Sequence, residues 1–135
     1  IQERYPVDPD RLYLTGISMG GRGTWEFAYW YAEMLTAIVP ICGPSLPNLA
    51  PRLKNLPVWT IHGTLDEVVP VERTDEMVEA LRLSGNLNVR YTRQDGIGHN
   101  CGRAAYRSPE LWEWLAQQRR QIPRATTGES VSALR

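Results

Sequence analysis

Residues 11–21, RLYLTGISMGG, decide the fold of this chain. The first seven, residues 11–17, mix apolar and β-prone residues and end in the glycine-rich stretch of residues 16–21, which predicts a strand running into a bend. A helix over residues 22–34 is predicted to follow, because four side chains recur there at three- and four-residue spacing. They are Trp25, Ala28, Tyr29 and Ala32. A strand, a bend and a helix in direct succession begin an α/β unit.

The rest of the chain repeats this alternation. Strands are predicted over residues 36–42, 57–62 and 88–92, helices over 70–83 and 109–119, and loops over 43–56 and 94–102. Such alternation requires right-handed crossovers, so the fold class is α/β, with a mostly parallel sheet and helices on both faces. One domain is predicted over residues 1–121, and the polar residues 122–135 are predicted to be a disordered tail.

Composition limits the functions that the chain can have. The 135 residues carry 15 basic and 15 acidic side chains, so their formal charge of zero gives no electrostatic basis for binding nucleic acid. No apolar run reaches the roughly 18 residues that a membrane span needs. Cys42 and Cys101 are predicted to be free buried thiols, with a disulfide as the alternative. A small molecule is the expected partner, and the cellular location stays open.

Residues 16–20, GISMG, match the pattern G-x-S-x-G at the predicted strand-to-helix bend. A nucleophile at such a bend occupies a sharp, strained turn, and a side chain at either flanking glycine is expected to collide with the backbone. Ser18 is therefore the candidate nucleophile. The alternative is a glycine turn that only packs a helix on a strand.

A serine hydroxyl needs a base that removes its proton, and the chain has two histidines. His99 lies in the last loop and is the preferred base, because hydrolases of this type have the order Ser, acid, His. His62, at the end of a predicted buried strand, is expected to be structural. Asp66 follows the third strand and is the candidate acid, with Glu67 as its rival.

The loop carboxylate Asp95 is given no catalytic role. Ser18, Asp66 and His99 each follow the carboxyl end of a predicted parallel strand, which is the edge where ligands bind in open α/β sheets. The sequence therefore predicts that these three side chains meet at one edge of the sheet.

Four segments together resemble the α/β-hydrolase esterases related to prolyl-oligopeptidase and dienelactone-hydrolase domains, especially the bacterial "predicted peptidase" or phospholipase/carboxylesterase group. They are DPDRLYLTGISMGGRGTWEFA, AIVPICG, LPVWTIHGTLDEVVPVERTDEMVEAL and GIGHNCG, the last followed by PELWEWL. The resemblance implies Ser18 as nucleophile, Asp66 as acid, His99 as base and the backbone N–H of Met19 as one oxyanion donor. Dienelactone hydrolases use cysteine at the elbow, so Ser18 favours the esterases of this group.

The resemblance also implies strands before the elbow strand, with a loop that provides the second oxyanion donor, and this sequence does not contain them. We expect a chain of these residues alone to be handicapped in catalysis. The elbow strand is then expected at an exposed sheet edge, covered either by a missing N-terminal segment or by a second copy of the chain.

The predicted function is a serine carboxylesterase that acts on small, short-acyl esters at neutral to alkaline pH, without metal or cofactor. A peptidase or feruloyl-type esterase with the same triad is the alternative, as is a non-catalytic binding module with the same fold.

Overall fold

A computed structural model of the chain describes residues 3–120. Its four strands are β1 (Tyr13–Ile17), β2 (Ala37–Ile41), β3 (Val58–Gly63) and β4 (Val89–Gln94). Its four α-helices are α1 (Met19–Tyr31), α2 (Glu72–Leu83), α3 (Cys101–Arg107) and α4 (Pro109–Gln117). Short 3₁₀ segments cover Ala32–Met34 and Pro47–Leu53.

The sheet is parallel throughout the described residues, and its strands lie in the order β1-β2-β3-β4. Ile17 pairs with Ile41 and Gly63 pairs with Gln94, so the carboxyl ends of the strands meet at one edge. Every residue of β2 is buried, as expected for a continuous apolar run between two layers of helices. Within the described part of the chain, β1 forms one edge of the sheet.

Helices cover both faces of the sheet, as predicted. On one face, Trp25 of α1 and Met77 and Leu81 of α2 pack with Ile38 and Val58. The opposite face forms a second core, made by β2 and β3 together with α3 and α4. Its buried members include Ala37, Val39, Ile61, Ala105, Leu111 and Leu115. An apolar core therefore lies on each face of the sheet, and the edge at the carboxyl ends of the strands remains available for polar side chains.

Several predicted boundaries were wrong. Helix α1 begins at Met19 rather than at residue 22, because the glycines of the bend enter the first helical turn although they add nothing to the apolar pattern. The predicted loop over residues 43–56 contains the 3₁₀ segment Pro47–Leu53. The predicted loop over 94–102 runs into α3, a short helix held by the burial of Cys101 and Ala105.

The predicted tail, residues 122–135, lies outside the described residues. Across the residues that are described, no helix combines the length and the apolar character needed to cross a membrane.

Candidate active site

Ser18 occupies a strained bend between β1 and α1. Its backbone has φ 56° and ψ −113°, in the region that residues with a side chain rarely adopt. The bend is fixed on both sides, because the Ser18 N–H donates to the Ile41 carbonyl at 2.9 Å and the Arg22 N–H donates to the Ser18 carbonyl at 3.0 Å. The side chain is thereby presented at the carboxyl edge of the sheet.

The two glycines that flank Ser18 have different roles. A Cβ at Gly16 would lie 2.3 Å from the Gly20 carbonyl oxygen, so only glycine fits there. A Cβ at Gly20 would meet nothing within 4 Å. The expectation that both glycines prevent collisions is therefore right for Gly16 and wrong for Gly20 within the described residues.

His99 lies just before α3 and contacts both other candidates. Its Nε2 lies 2.8 Å from Ser18 Oγ, and its Nδ1 lies 2.7 Å from Asp66 Oδ2. The loop that carries His99 crosses the end of β3 so closely that a Cβ at Gly63 would lie 2.2 Å from the Ile97 carbonyl oxygen. Gly63 thus lets the histidine loop reach the elbow.

Asp66 is buried in a tight turn after β3. Its Oδ1 accepts hydrogen bonds from the backbone N–H groups of Val68 and Val69, at 2.9 and 2.8 Å. Burial by itself would raise the pKa of Asp66, but the hydrogen bonds from His99 and from the Val69 and Val68 N–H groups outweigh it. The net effect lowers the pKa below the usual value for aspartate, so the carboxylate is ionised at neutral pH.

The rival carboxylates lie outside this arrangement. Glu67, next to Asp66 in sequence, is exposed. Asp95 is exposed and accepts a hydrogen bond from the Thr64 hydroxyl at 3.2 Å. The structure therefore brings Ser18, Asp66 and His99 together. The hydrogen bonds that join them involve neither Glu67 nor Asp95.

Sequence reasoning missed a second imidazole at the acid. His62 is fully buried, and its Nε2 lies 3.1 Å from Asp66 Oδ2. His62 and Asp66 are four residues apart, but they span a strand end and a turn, where that spacing predicts no contact. The sequence indicated only that His62 would be buried at the end of an apolar strand, and it gave no sign of the contact with Asp66.

Met19, the predicted oxyanion donor, is the first residue of α1. The first four N–H groups of a helix lack an intrahelical acceptor, and the positive end of the helix dipole lies beside them. Met19 directly follows Ser18, so its N–H belongs to the peptide unit that joins the candidate nucleophile to α1. Met19 as a whole is 84% exposed.

Cys42 and Cys101 are free and fully buried thiols, as predicted. Cys42 donates to the His99 carbonyl at 3.5 Å, and a hydrogen bond with Cys101, together with burial, raises the pKa of the Cys42 thiol. Potential metal-ligand atoms of Cys42, Asp66 and His99 lie within 4.8 Å of one another. A raised thiol pKa opposes metal binding, which needs the thiolate, and the other two side chains already bind each other.

A cavity of about 150 Å³ opens between α1 and the loop that follows β2. Trp25, Pro44, Leu46 and Leu49 give it an apolar lining, and Arg22 and Glu26 form an ion pair of 2.7 Å beside them. Arg22 lies one helical turn beyond Ser18 in α1, and the three candidate catalytic residues do not line the cavity.

A serine on a strand-to-helix elbow, joined to a histidine and an aspartate that follow later parallel strands, defines an α/β-hydrolase. Comparison with known proteins identifies the family of α/β-hydrolases to which the chain belongs. Residues 1–100 match the model of the dienelactone hydrolase family, and the chain belongs to that family.

The proteins similar to this chain include esterases. The crystal structure of a thermostable esterase superposes with a TM-score of 0.84 at 35% identity, covering 88% of this chain and 34% of that one. Esterase PE8 superposes with a TM-score of 0.62 at 26% identity, covering 84% of this chain and 52% of that one. A bifunctional acetylxylan esterase/xylanase of Neocallimastix patriciarum is 28% identical over 82 residues, which are 61% of this chain and 12% of that protein. The chain thus spans only part of the length of each.

Proposed function

We propose that the chain hydrolyses carboxylic esters by a serine mechanism, with Ser18 as nucleophile, His99 as base and Asp66 as the acid that orients His99. The observation that carries the proposal is the continuous hydrogen-bond chain from Ser18 Oγ through His99 to Asp66, with contacts of 2.8 and 2.7 Å. These are hydrogen-bonding distances at which a base can take the hydroxyl proton. Membership of the dienelactone hydrolase family supports hydrolysis as the reaction, and the serine mechanism is proposed from Ser18 at the elbow.

Acylation begins when Ser18 Oγ attacks the ester carbonyl carbon and its proton passes to His99 Nε2. The Met19 N–H stabilises the negative charge that develops on the carbonyl oxygen. Asp66 holds the imidazole through Nδ1 and stabilises its positive charge. When the tetrahedral intermediate collapses, the C–O bond to the alcohol breaks and His99 gives its proton to the departing oxygen.

Deacylation repeats these steps with water in place of the serine hydroxyl. His99 takes a proton from water as the oxygen attacks the acyl carbon, and it then gives that proton to Ser18 Oγ as the bond between the acyl carbon and Oγ breaks and the carboxylic acid leaves. Since His99 must be neutral to accept a proton, we expect activity to fall in acid and to be highest at neutral to alkaline pH.

Small esters are the proposed substrates, and the acyl group is assigned to the cavity beside Arg22 and Trp25. Its volume of about 150 Å³ is comparable to that of an apolar protein cavity known to take up benzene. It can therefore accommodate a short acyl chain or a single ring. The loop after β2 forms only the 3₁₀ segment Pro47–Leu53, with no long amphipathic helix to cover a lipid chain.

Labelling with a fluorophosphonate tests the nucleophile. We expect the wild-type chain to be labelled at Ser18 and the variant Ser18→Ala to lose the label. Ser84→Ala, at the end of α2 and away from the site, is the matched control that keeps it. A wild-type chain that is folded but not labelled would contradict the proposal and favour a non-catalytic binding module.

A substrate panel tests the kind of bond and the size of the acyl group. We expect p-nitrophenyl acetate and butyrate to be hydrolysed faster than the decanoate, because the longer chain exceeds the cavity. Faster hydrolysis of feruloyl esters or of peptide amides would replace the proposal with the aryl-esterase or the peptidase alternative.

A further inference from the structure

His62 is a fully buried histidine with a partner at each ring nitrogen. Its Nε2 lies 2.8 Å from the Val69 carbonyl oxygen and 3.1 Å from Asp66 Oδ2. Its Nδ1 lies 2.7 Å from the Thr74 hydroxyl. The ester hydrolysis proposed above uses none of these contacts, although one of them is made to the acid.

The partners of the ring assign its tautomer. Nε2 faces a carbonyl oxygen and a carboxylate oxygen, and because both only accept hydrogen bonds, Nε2 carries the hydrogen. In the neutral ring, Nδ1 then accepts a hydrogen bond from the Thr74 hydroxyl. Since His62 belongs to β3 and Thr74 to α2, the ring is held between two regular elements.

The Nε2–H of His62 closes the turn that carries the acid. Asp66 begins this turn, and its Oδ1 is bound by the N–H groups of Val68 and Val69. The same Nε2–H contacts Oδ2 of Asp66 and the carbonyl oxygen of Val69, at the two ends of the turn. The carboxylate is therefore fixed at both oxygens, and Oδ2 is held where it meets Nδ1 of His99.

We propose that His62 is a positioning residue for the reaction, which holds the carboxylate of Asp66 in the orientation that aligns His99 with Ser18. The inference rests on the proposed function. His62 is recorded in no hydrogen bond to Ser18 and lines none of the described cavities, so it acts through Asp66 alone.

Two amide variants separate this role from simple filling of buried space. The amide nitrogen of His62→Gln lies close to the position of Nε2 and can still donate to Asp66, whereas that of His62→Asn lies close to Nδ1 and cannot reach it. We expect His62→Asn to lower kcat by about tenfold to a hundredfold, the effect of losing one hydrogen bond to a charged group, with KM unchanged. His62→Gln should stay within about threefold of the wild type. Equal kcat values for the two variants, whether high or low, would overturn the proposal.

Thr74 provides a second test if His62→Asn does not fold. Thr74→Val removes the hydroxyl that donates to Nδ1 of His62 and keeps the shape of the side chain, and Thr74→Ser keeps the hydroxyl. We expect a kcat about threefold to tenfold lower for Thr74→Val and a near-normal kcat for Thr74→Ser. Equal kcat values for these two variants would also overturn the proposal.

A spectroscopic measurement separates failure of this inference from failure of the proposed function. The proton on His99 Nδ1, hydrogen-bonded to Asp66, can be followed by NMR whether or not the chain turns over substrate. We expect its resonance to shift in His62→Asn and Thr74→Val and to keep its wild-type position in His62→Gln and Thr74→Ser. An unchanged resonance in all four variants would refute the positioning role even in a chain that hydrolyses esters.

Discussion

Replacing Asp66 with asparagine removes a charge and one hydrogen-bond acceptor while keeping the shape of the side chain. In the wild type, Oδ1 accepts from two backbone N–H groups and Oδ2 accepts from His62 and His99. An asparagine has only one oxygen to offer. That oxygen faces the N–H groups of Val68 and Val69, because a backbone N–H can only donate, whereas an imidazole can present an acceptor nitrogen in its other tautomer. The NH₂ group then faces His62 and His99.

The consequence for catalysis follows from the tautomer of His99. With an NH₂ group as its neighbour, Nδ1 of His99 must accept a hydrogen bond, so the ring hydrogen moves to Nε2. Nε2 then donates toward Ser18 Oγ and cannot take its proton. The same substitution in a serine protease lowers kcat by about 10⁴-fold, which corresponds to roughly 5 kcal/mol in the activation free energy. We expect a loss of that order here.

The assay compares kcat on p-nitrophenyl acetate, and the rate of fluorophosphonate labelling, for the wild type, Asp66→Asn and Glu67→Gln. Glu67→Gln is the matched control because it removes one negative charge from the neighbouring, exposed position. It should stay within about twofold of the wild type. The reasoning fails if folded Asp66→Asn retains more than about a tenth of the wild-type kcat, or if Glu67→Gln loses as much as Asp66→Asn.

The remaining predictions concern the stability of the folded chain, measured by urea unfolding. Gly63→Ala should lower the free energy of unfolding by about 1–3 kcal/mol, because its Cβ would lie 2.2 Å from the Ile97 carbonyl oxygen. Gly23→Ala, in α1, would meet nothing within 4 Å and should raise that free energy by about 0.5–1 kcal/mol; equal effects of the two substitutions would contradict the steric argument. Since the pKa of Asp66 is lower in the folded chain than in the unfolded one, its ionised form stabilises the fold above about pH 4, and this contribution is lost as pH falls through the folded pKa. The decline in stability as pH falls below about 4 should therefore be smaller in Asp66→Asn than in the wild type, and parallel declines would show that Asp66 is not responsible.

The elements that position the candidate site could be predicted because each has a strong local signal. Residues 37–41 form a continuous apolar run, and all of them are buried in β2. The sequence GISMG places a bend directly between a strand and a helix. Parallel strands then bring Ser18, Asp66 and His99 to one edge, so the order of elements alone predicts that these residues are neighbours.

Features that depend on tertiary contacts could not be predicted in the same way. Helix α3, CGRAAYR, has too few apolar residues for a helical stripe, and it is fixed by packing of Cys101 and Ala105 against the sheet. The contact of His62 with Asp66 depends on a turn that closes on itself through side-chain and backbone hydrogen bonds. A periodic pattern of apolar residues predicts helices and strands, but it does not predict a turn of this kind.

The three candidate catalytic side chains are held to different degrees, and the difference suits their proposed roles. Asp66, whose side chain is 0% exposed, is bound at both oxygens, and Ser18 is fixed by the strained elbow. The side chain of His99 is 27% exposed, so His99 is less enclosed than Asp66. In the proposed reaction His99 first takes a proton from Ser18 and then gives it to the departing alcohol, which requires its ring to face two different atoms in turn. A fixed nucleophile and a fixed carboxylate, with a less enclosed imidazole between them, allow that change of partner without rebuilding the site.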